Sequence, residues 1–181
     1  MAILETLKKM AEKAPGLARP TSDRIEELVR IRKPNALKFE DDGIIPNNSR
    51  WPFVFYRGAV ALPDDLDPAA VMEELFRQNG WGAVWRDGIY DYVHYHSRVH
   101  EVLGVARGKG TVRFGGNKGR TVQLKAGDVA VLPAGTASMF GCQFGLSGRR
   151  RLSAVGHIRR VHEKRRSSNG AKDDPQSRPP T

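Results

Sequence analysis

Three histidines and a glutamate stand within eight residues of one another, inside the segment GIYDYVHYHSRVHEVLGVARGKG that runs from Gly88 to Gly110. The four residues are His94, His96, His100 and Glu101. Imidazole nitrogens and carboxylate oxygens in this combination are ligands of Fe, Mn, Ni, Cu and Zn ions. Their number and spacing therefore indicate a metal site. A hydrogen-bonded core cluster and a solvated surface strand are the two alternative interpretations.

The two histidines at positions 94 and 96 can act together if they lie on a strand. Side chains two residues apart on a strand point to the same face, so a strand over 90–96 would let His94 and His96 bind one ion. An unbroken strand would turn Glu101 to the opposite face. A bend at Ser97 and Arg98 would bring the carboxylate back to the histidines.

Three aromatic residues near this segment are candidate walls of a pocket. Tyr90 and Tyr92 share the predicted face of His94, and Trp85 precedes them. Packing in the core is the alternative for each of the three. If the protein is an enzyme, His100 is the best candidate for a general base.

Short strands with frequent turns must position these side chains. The hydrophobic pattern predicts strands over 35–40, 53–60, 101–106, 111–114, 121–125 and 129–132. Turn residues such as Gly115-Gly116 and Gly127-Asp128 separate the later strands at intervals of eight to twelve residues. This spacing is typical of a β-sandwich or a β-barrel.

Three helices are predicted around these strands. The first spans Ile3 to Lys13, and the second follows a cap at Thr21 or Ser22. The third follows a cap at Asp67 and runs through Gln78, with Gly80 as its stop signal. Apolar residues recur at helical spacing in each of them. The two N-terminal helices would either cover the strands or contribute to a homodimer interface.

The positive charge of the chain is concentrated at its C-terminal end. The formal net charge is +10, and residues 148–181 alone hold ten Lys or Arg and three Asp or Glu, a net of +7. A disordered basic segment of this kind binds polyanions without specificity. The sequence therefore predicts no specific nucleic-acid partner.

Cysteine usage and hydropathy bear on the compartment. The single cysteine, Cys142, excludes an internal disulfide and fits a reducing environment. No apolar run approaches the ~20 residues of a membrane-spanning helix, and the first residues lack the pattern of a signal peptide. These features predict a soluble, cytoplasmic protein without a membrane partner.

Two spaced patterns in the chain resemble those of the cupin superfamily. The first consists of Gly88, five residues, His94-Tyr95-His96, four residues, Glu101, six residues and Gly108. The second begins with Gly127, five residues and Pro133-Ala134-Gly135. The segments DDGIIPNN, DGIYDY and HEVLG resemble sequences of the uncharacterised YjlB-like cupins in particular. The resemblance covers roughly residues 33–136.

This resemblance implies a mainly β protein with a small jelly-roll barrel over 33–147. The helical spacing of apolar residues predicts an N-terminal helical extension over 1–32, and the scarcity of apolar residues predicts a disordered basic tail over 148–181. The resemblance also implies a divalent transition metal (Fe, Mn, Ni or Zn) held by His94, His96 and Glu101. His100 would be a neighbouring partner or an alternative ligand. The implied function is metal binding, with oxygenase or isomerase chemistry on a small organic molecule. Small-ligand binding without turnover is the alternative.

The chain departs from the family pattern at Ser138, where the second motif has a histidine. A serine hydroxyl is a poor substitute for imidazole on such a metal. Beyond Thr136 the resemblance stops, and the last strands of the barrel are predicted to be incomplete.

A frameshift is one hypothesis for this change. One set of permitted codons for Ala137 onward, read one base later, gives HQCLAASSDLAVVGAYP, which restores a histidine at the position of Ser138. The protein would then be an inactive product of a disrupted gene. The coding DNA tests the hypothesis, which fails if the shifted codons give no family-like peptide.

Overall fold

The computed structural model describes residues 17–89, 92–140 and 153–160. The helix predicted over Ile3 to Lys13 lies outside these residues. The two described helices are α1 (Ser22–Leu28) and α2 (Pro68–Gln78). The ten strands are β1 (Asn35–Leu37), β2 (Phe53–Tyr56), β3 (Gly82–Asp87), β4 (His94–Tyr95), β5 (Val99–Arg107), β6 (Lys109–Phe114), β7 (Arg120–Lys125), β8 (Val129–Leu132), β9 (Ala137–Phe140) and β10 (Ser153–Arg160).

The strands form two antiparallel sheets that enclose an apolar core. One sheet has the order β1-β2-β8-β5-β10-β3 and the other has the order β4-β9-β6-β7. Ten buried side chains from the two sheets form one continuous apolar cluster: Phe53, Phe55, Leu103, Val105, Val112, Phe114, Val122, Leu124, Ala130 and Leu132. The mainly β fold is confirmed. The expected closed barrel is corrected to two sheets, because no ladder joins their edges within the described ranges.

The two helices cover the outer face of the six-stranded sheet. Side chains alternate along β5, so Leu103 belongs to the core between the sheets while its neighbour Val102 packs with the helices. Asp67 caps α2 as predicted, with its side chain accepting a hydrogen bond from the backbone N–H of Ala69 at 3.2 Å. Gly104 lets α2 approach closely, because a Cβ there would lie 2.7 Å from the sulfur of Met72.

The short helix α1 is part of the same core. Its Ile25 and Leu28 are buried in the cluster formed by α2 and β5. The segment around α1, predicted as part of an extension over 1–32, therefore packs into the domain. Neither helix of the described residues has the length and the apolar stretch that a membrane crossing requires.

Strand β10 is the main difference from the sequence-based expectation. Disorder was expected over 148–181, yet Ser153–Arg160 pairs with β5 along one edge and with β3 along the other. The boundary predicted at 147 therefore excludes a strand of the sheet. Arginine runs at 149–151 and 159–160 dominate the composition there and hide a β-compatible segment, SAVGHI, between them. The rest of 148–181 lies outside the described residues.

Candidate metal centre

The candidate ligands come from two strands that belong to different sheets. His94 lies in β4, at an edge of the four-stranded sheet, and its backbone register pairs it with Ser138 of β9. Glu101 lies in β5, in the middle of the six-stranded sheet. The chain bends at Ser97 and Arg98 between them, as the sequence predicts. This bend lets a segment of eight residues present ligands from both sheets to one point.

Three side chains converge at that point. The ligand atoms of His94, His96 and Glu101 all lie within 4.8 Å of one another. The two imidazole rings are perpendicular, with their centroids 5.8 Å apart. Glu101 is 5% exposed, and both histidines are half-buried. Two nitrogen donors and one oxygen donor at this spacing can bind a single transition-metal ion and leave further coordination positions open.

A tight turn after β8 holds the backbone next to His96. The carbonyl oxygen of His96 accepts a hydrogen bond from the N–H of Gly135 at 2.8 Å. Gly135 has φ +91°, and a Cβ at this position would lie 3.1 Å from the carbonyl oxygen of Asn47. Only glycine meets both conditions without strain. The glycine of the second motif therefore positions a residue of the first.

The three candidate ligands line a cavity of about 250 Å³. The walls of this cavity are Trp85, Gly88, Ile89, His94, His96, Glu101, Leu103, Phe114, Leu132 and Ser138. Apart from the three ligands and Ser138, all of these residues are apolar.

Burial sets the protonation of the cluster. It raises the pKa of Glu101 to about 7, because the charged carboxylate loses its water. The pKa of His94 is lowered, first by burial and then by the neighbouring His96, although backbone hydrogen bonds oppose the change. Neutral imidazole is the form that binds a metal, and a cation beside Glu101 would displace its proton. The donor set and its electrostatics therefore fit a divalent ion.

Ser138 occupies the position at which the second motif has a histidine. It is 6% exposed, lines the cavity and lies directly opposite His94 in the ladder between β4 and β9. Its short side chain offers a hydroxyl in place of an imidazole. The fourth position of the motif thus faces the cluster but carries a weak ligand.

Three other residues from the sequence analysis lie apart from the cluster or beyond the described ranges. His100 lies on β5 next to Glu101, and its Nδ1 accepts a hydrogen bond from the N–H of Ala134 at 3.0 Å. It borders a separate surface cleft, away from the cavity. Tyr92 is 56% exposed and does not line the cavity, although its ring centroid lies 5.8 Å from that of His94. Tyr90 lies outside the described residues.

The sequence analysis missed most of the apolar wall. Of the three wall residues that the sequence suggested, Trp85 lies in the cavity lining, Tyr92 does not, and Tyr90 lies outside the described residues. Leu103 could have been found from alternation, because it shares the face of Glu101 two positions earlier on the same strand. The same alternation puts His100 on the opposite face. Phe114 and Leu132 come from distant strands, and no local signal links them to the histidines.

Comparisons with known proteins agree with the two sequence motifs. Residues 87–141 match the model of the cupin family. The chain is 39% identical over 97 residues to the uncharacterised protein YjlB of Bacillus subtilis, an alignment that covers 54% of this chain and 55% of YjlB. The chain thus spans about half the length of this curated relative.

Two solved structures resemble parts of the fold at low identity. Acireductone dioxygenase from Bacillus anthracis, with a cadmium ion in its active centre, is 20% identical, with a TM-score of 0.37 over 56% of this chain and 68% of its own. A 3,4-ketoisomerase from Helicobacter canadensis is 10% identical, with a TM-score of 0.34 over 74% of this chain and 88% of its own. Likenesses of this size carry no argument about function.

Proposed function

Because the chain carries a cupin domain of the YjlB-like kind, we propose that it holds a divalent transition metal (Fe, Mn, Ni or Zn) and binds a small organic molecule beside it. His94, His96 and Glu101 would be the metal ligands. The convergence of their ligand atoms within 4.8 Å, at the wall of a cavity, is the observation that carries this proposal. A carboxyl buried this deeply is costly unless a positive charge compensates it.

The residues of the cavity would have different roles at such a site. A metal held here would supply Lewis acidity or a binding position for O2. The two histidines and Glu101 would fix the position of that chemistry at the wall of the cavity. The apolar walls exclude water from it and strengthen every electrostatic interaction inside. The Ser138 hydroxyl is a hydrogen-bond partner for a polar group of the bound molecule. Oxygenase and isomerase chemistry both fit this arrangement, and the fold does not choose between them.

Small-ligand binding without turnover is the second candidate, and Ser138 is the observation that favours it. A site with three strong ligands in place of four binds its metal more weakly. At low metal occupancy the cavity would still accept a small molecule.

Metal content of the purified protein, measured by elemental analysis, tests the proposal. We expect at least half-stoichiometric Fe, Mn, Ni or Zn, and at least a tenfold lower content in His96→Ala, because the loss of one of three ligands removes a strong bond to the ion. His100→Asn is the matched control. It removes a neighbouring histidine outside the cluster and keeps an acceptor for the N–H of Ala134.

The metal content of a Ser138→His variant shows whether the site needs a fourth strong ligand. An empty parent and a loaded variant would show that the three ligands of this chain do not suffice, and would favour the second candidate. Metal in neither chain would contradict a metal centre at this position.

A further inference from the structure

We infer that the molecule bound beside the metal is small and mostly apolar, of about ten non-hydrogen atoms, and carries no more than one negative charge. A single aromatic ring or a short branched chain with one carboxylate fits this description. The inference rests on the proposed function, because it places the polar group of the ligand next to the metal. It names the substrate class that the proposal leaves open.

The size of the cavity sets the size of the ligand. The cavity measures about 250 Å³. An apolar protein cavity of about 150 Å³ holds benzene, which scales to about ten non-hydrogen atoms here. Drug-sized ligands need pockets of roughly 300 to 1,000 Å³. The space therefore suits one ring with a substituent.

The walls of the cavity set its polarity. Trp85, Leu103, Phe114 and Leu132 come from four different strands and present apolar side chains to the same space. Among the described residues of the lining, the polar side chains are those of the cluster and Ser138. A ligand with hydroxyl groups all around, such as a sugar, would lose its hydrogen bonds to water against these walls.

A glycine in β10 is consistent with open space in this region. The backbone register places Gly156 opposite Leu103 on one side and opposite Trp85 on the other. Residues that lie directly opposite each other in a ladder share one face. Gly156 therefore stands in a row of cavity-lining positions and adds no side chain to it.

The charges of the residues around the cavity limit the net charge of the ligand. Among the described residues that line the cavity there is no lysine and no arginine. A divalent ion next to the single carboxylate of Glu101 leaves one positive charge to be balanced, which one ligand anion can do. A second anionic group would lie against an apolar wall without a partner, at a high desolvation cost.

Three probes with equal numbers of non-hydrogen atoms test the inference on the unmodified chain. They are 4-methylbenzoate, phenylphosphonate and D-xylose, titrated calorimetrically into Zn²⁺-loaded protein at a pH where phenylphosphonate is a dianion. We expect 4-methylbenzoate to bind at least tenfold more tightly than either of the other two. Equal or tighter binding of phenylphosphonate or xylose would overturn the inference, as would the absence of 4-methylbenzoate binding to metal-loaded protein.

A cavity-filling variant locates the binding. In zinc-loaded protein, Leu132→Phe should weaken 4-methylbenzoate binding at least tenfold. Gln123→Phe is the control, because it adds the same side chain at an exposed position of β7. Loss of binding in both variants, or in neither, would place the ligand elsewhere and contradict the inference.

A protein without the proposed metal site can still be tested for the apolar cavity. If the protein takes up no metal, toluene and xylose are compared on the metal-free chain by their effect on its melting temperature. If toluene raises the melting temperature and xylose does not, the apolar cavity is supported in a protein that has no metal centre. No rise with toluene would reject the cavity chemistry as well.

Discussion

The burial of Glu101 is the strongest residue-level indication of a cation at the site. It is a carboxyl 5% exposed on a strand whose neighbouring inward side chains are Leu103 and Val105. Burial alone raises its pKa to about 7, so the metal-free protein holds it partly protonated near neutrality. Such a group costs stability in the absence of a cation. A functional reason for keeping it is the ion that the two histidines beside it can share.

This cost predicts an unusual pH dependence for the metal-free protein. The pKa of Glu101 rises from 4.5 in the unfolded chain to about 7 in the folded one, so the folded state binds more protons between those values. Its stabilising contribution is present below the lower value and is lost as the pH rises through the upper one. Between about pH 5 and about pH 8 the free energy of unfolding should fall by about 3 kcal/mol more in the parent than in Glu101→Gln.

Urea denaturation of both chains in the presence of a chelator measures this difference. His94 titrates in the opposite sense, because its lowered pKa favours the neutral folded form as the pH rises. The comparison with Glu101→Gln cancels that contribution, since His94 is present in both chains. Parallel pH profiles would mean that Glu101 is as well solvated in the folded chain as in the unfolded one. Saturating Zn²⁺ should restore the free energy of unfolding that the parent has lost at pH 8, since the ion binds the charged carboxylate.

At the scale of elements, β3 depends on its surroundings for its position. Its one strand partner in the described sheet is β10, and its burial pattern shows no face that is fully covered. Arg86 ties it to α2 through ion pairs with Glu73 and Asp67, the latter at 3.0 Å. Burial alone would raise the pKa of Glu73, but the hydrogen bonds and charges of Arg86 and Arg19 outweigh it and hold that pKa below its usual value. This network holds the strand that carries Trp85 into the cavity.

Breaking the network should therefore destabilise the fold. Arg86 is 23% exposed in its side chain, and its partners Asp67 and Glu73 are 11% and 15% exposed. Arg86→Met leaves two largely buried carboxylates with less compensation, which should lower the free energy of unfolding by about 2 kcal/mol. Arg24→Met, which removes a pair with Glu27 whose side chains are 48% and 62% exposed, is the control and should cost less than about 0.5 kcal/mol. Equal effects in chemical denaturation would show that the Arg86 network contributes no more than a surface pair.

The elements that the sequence could predict are those that carry a local pattern. An apolar run over 101–106 bounded by glycines predicted β5, which in the structure extends over Val99–Arg107. The cap at Asp67 predicted the start of α2. β3 has no such pattern, because Gly82–Asp87 is half exposed and owes its order to β10 and Arg86. Its place in the sheet depends on a segment some seventy residues later in the chain, which no local reading of the sequence contains.

The same distinction applies to the candidate site. His94, His96 and Glu101 could be proposed as ligands because they stand close together in the sequence and fit a known spacing. The structure brings their ligand atoms together and leaves His100 outside the group. The apolar cavity could not be proposed in the same way. It exists because two sheets meet, and its walls come from strands that are far apart along the chain.

At the scale of the whole molecule, the six-stranded sheet depends on β10 for its continuity. β10 lies between β5 and β3, with eight register pairs to β5. Without it, β3 would have no partner in the described sheet and β5 would expose a row of unpaired N–H and C=O groups. Trp85 would lose the strand that holds it at the cavity.

Two shortened chains test this dependence. A chain that ends at residue 152 lacks β10, and we expect it to lose cooperative thermal unfolding and to aggregate, because an open edge in the middle of a sheet is a template for pairing between molecules. A chain that ends at Arg160 keeps every strand of the two described sheets and is the control. Its melting temperature should stay within about 5 °C of the full chain, a shift that corresponds to about 1 kcal/mol in a domain of this size. Cooperative unfolding of the shorter chain would show that residues after 152 are dispensable, as the sequence-based prediction of a disordered tail from 148 onward implies.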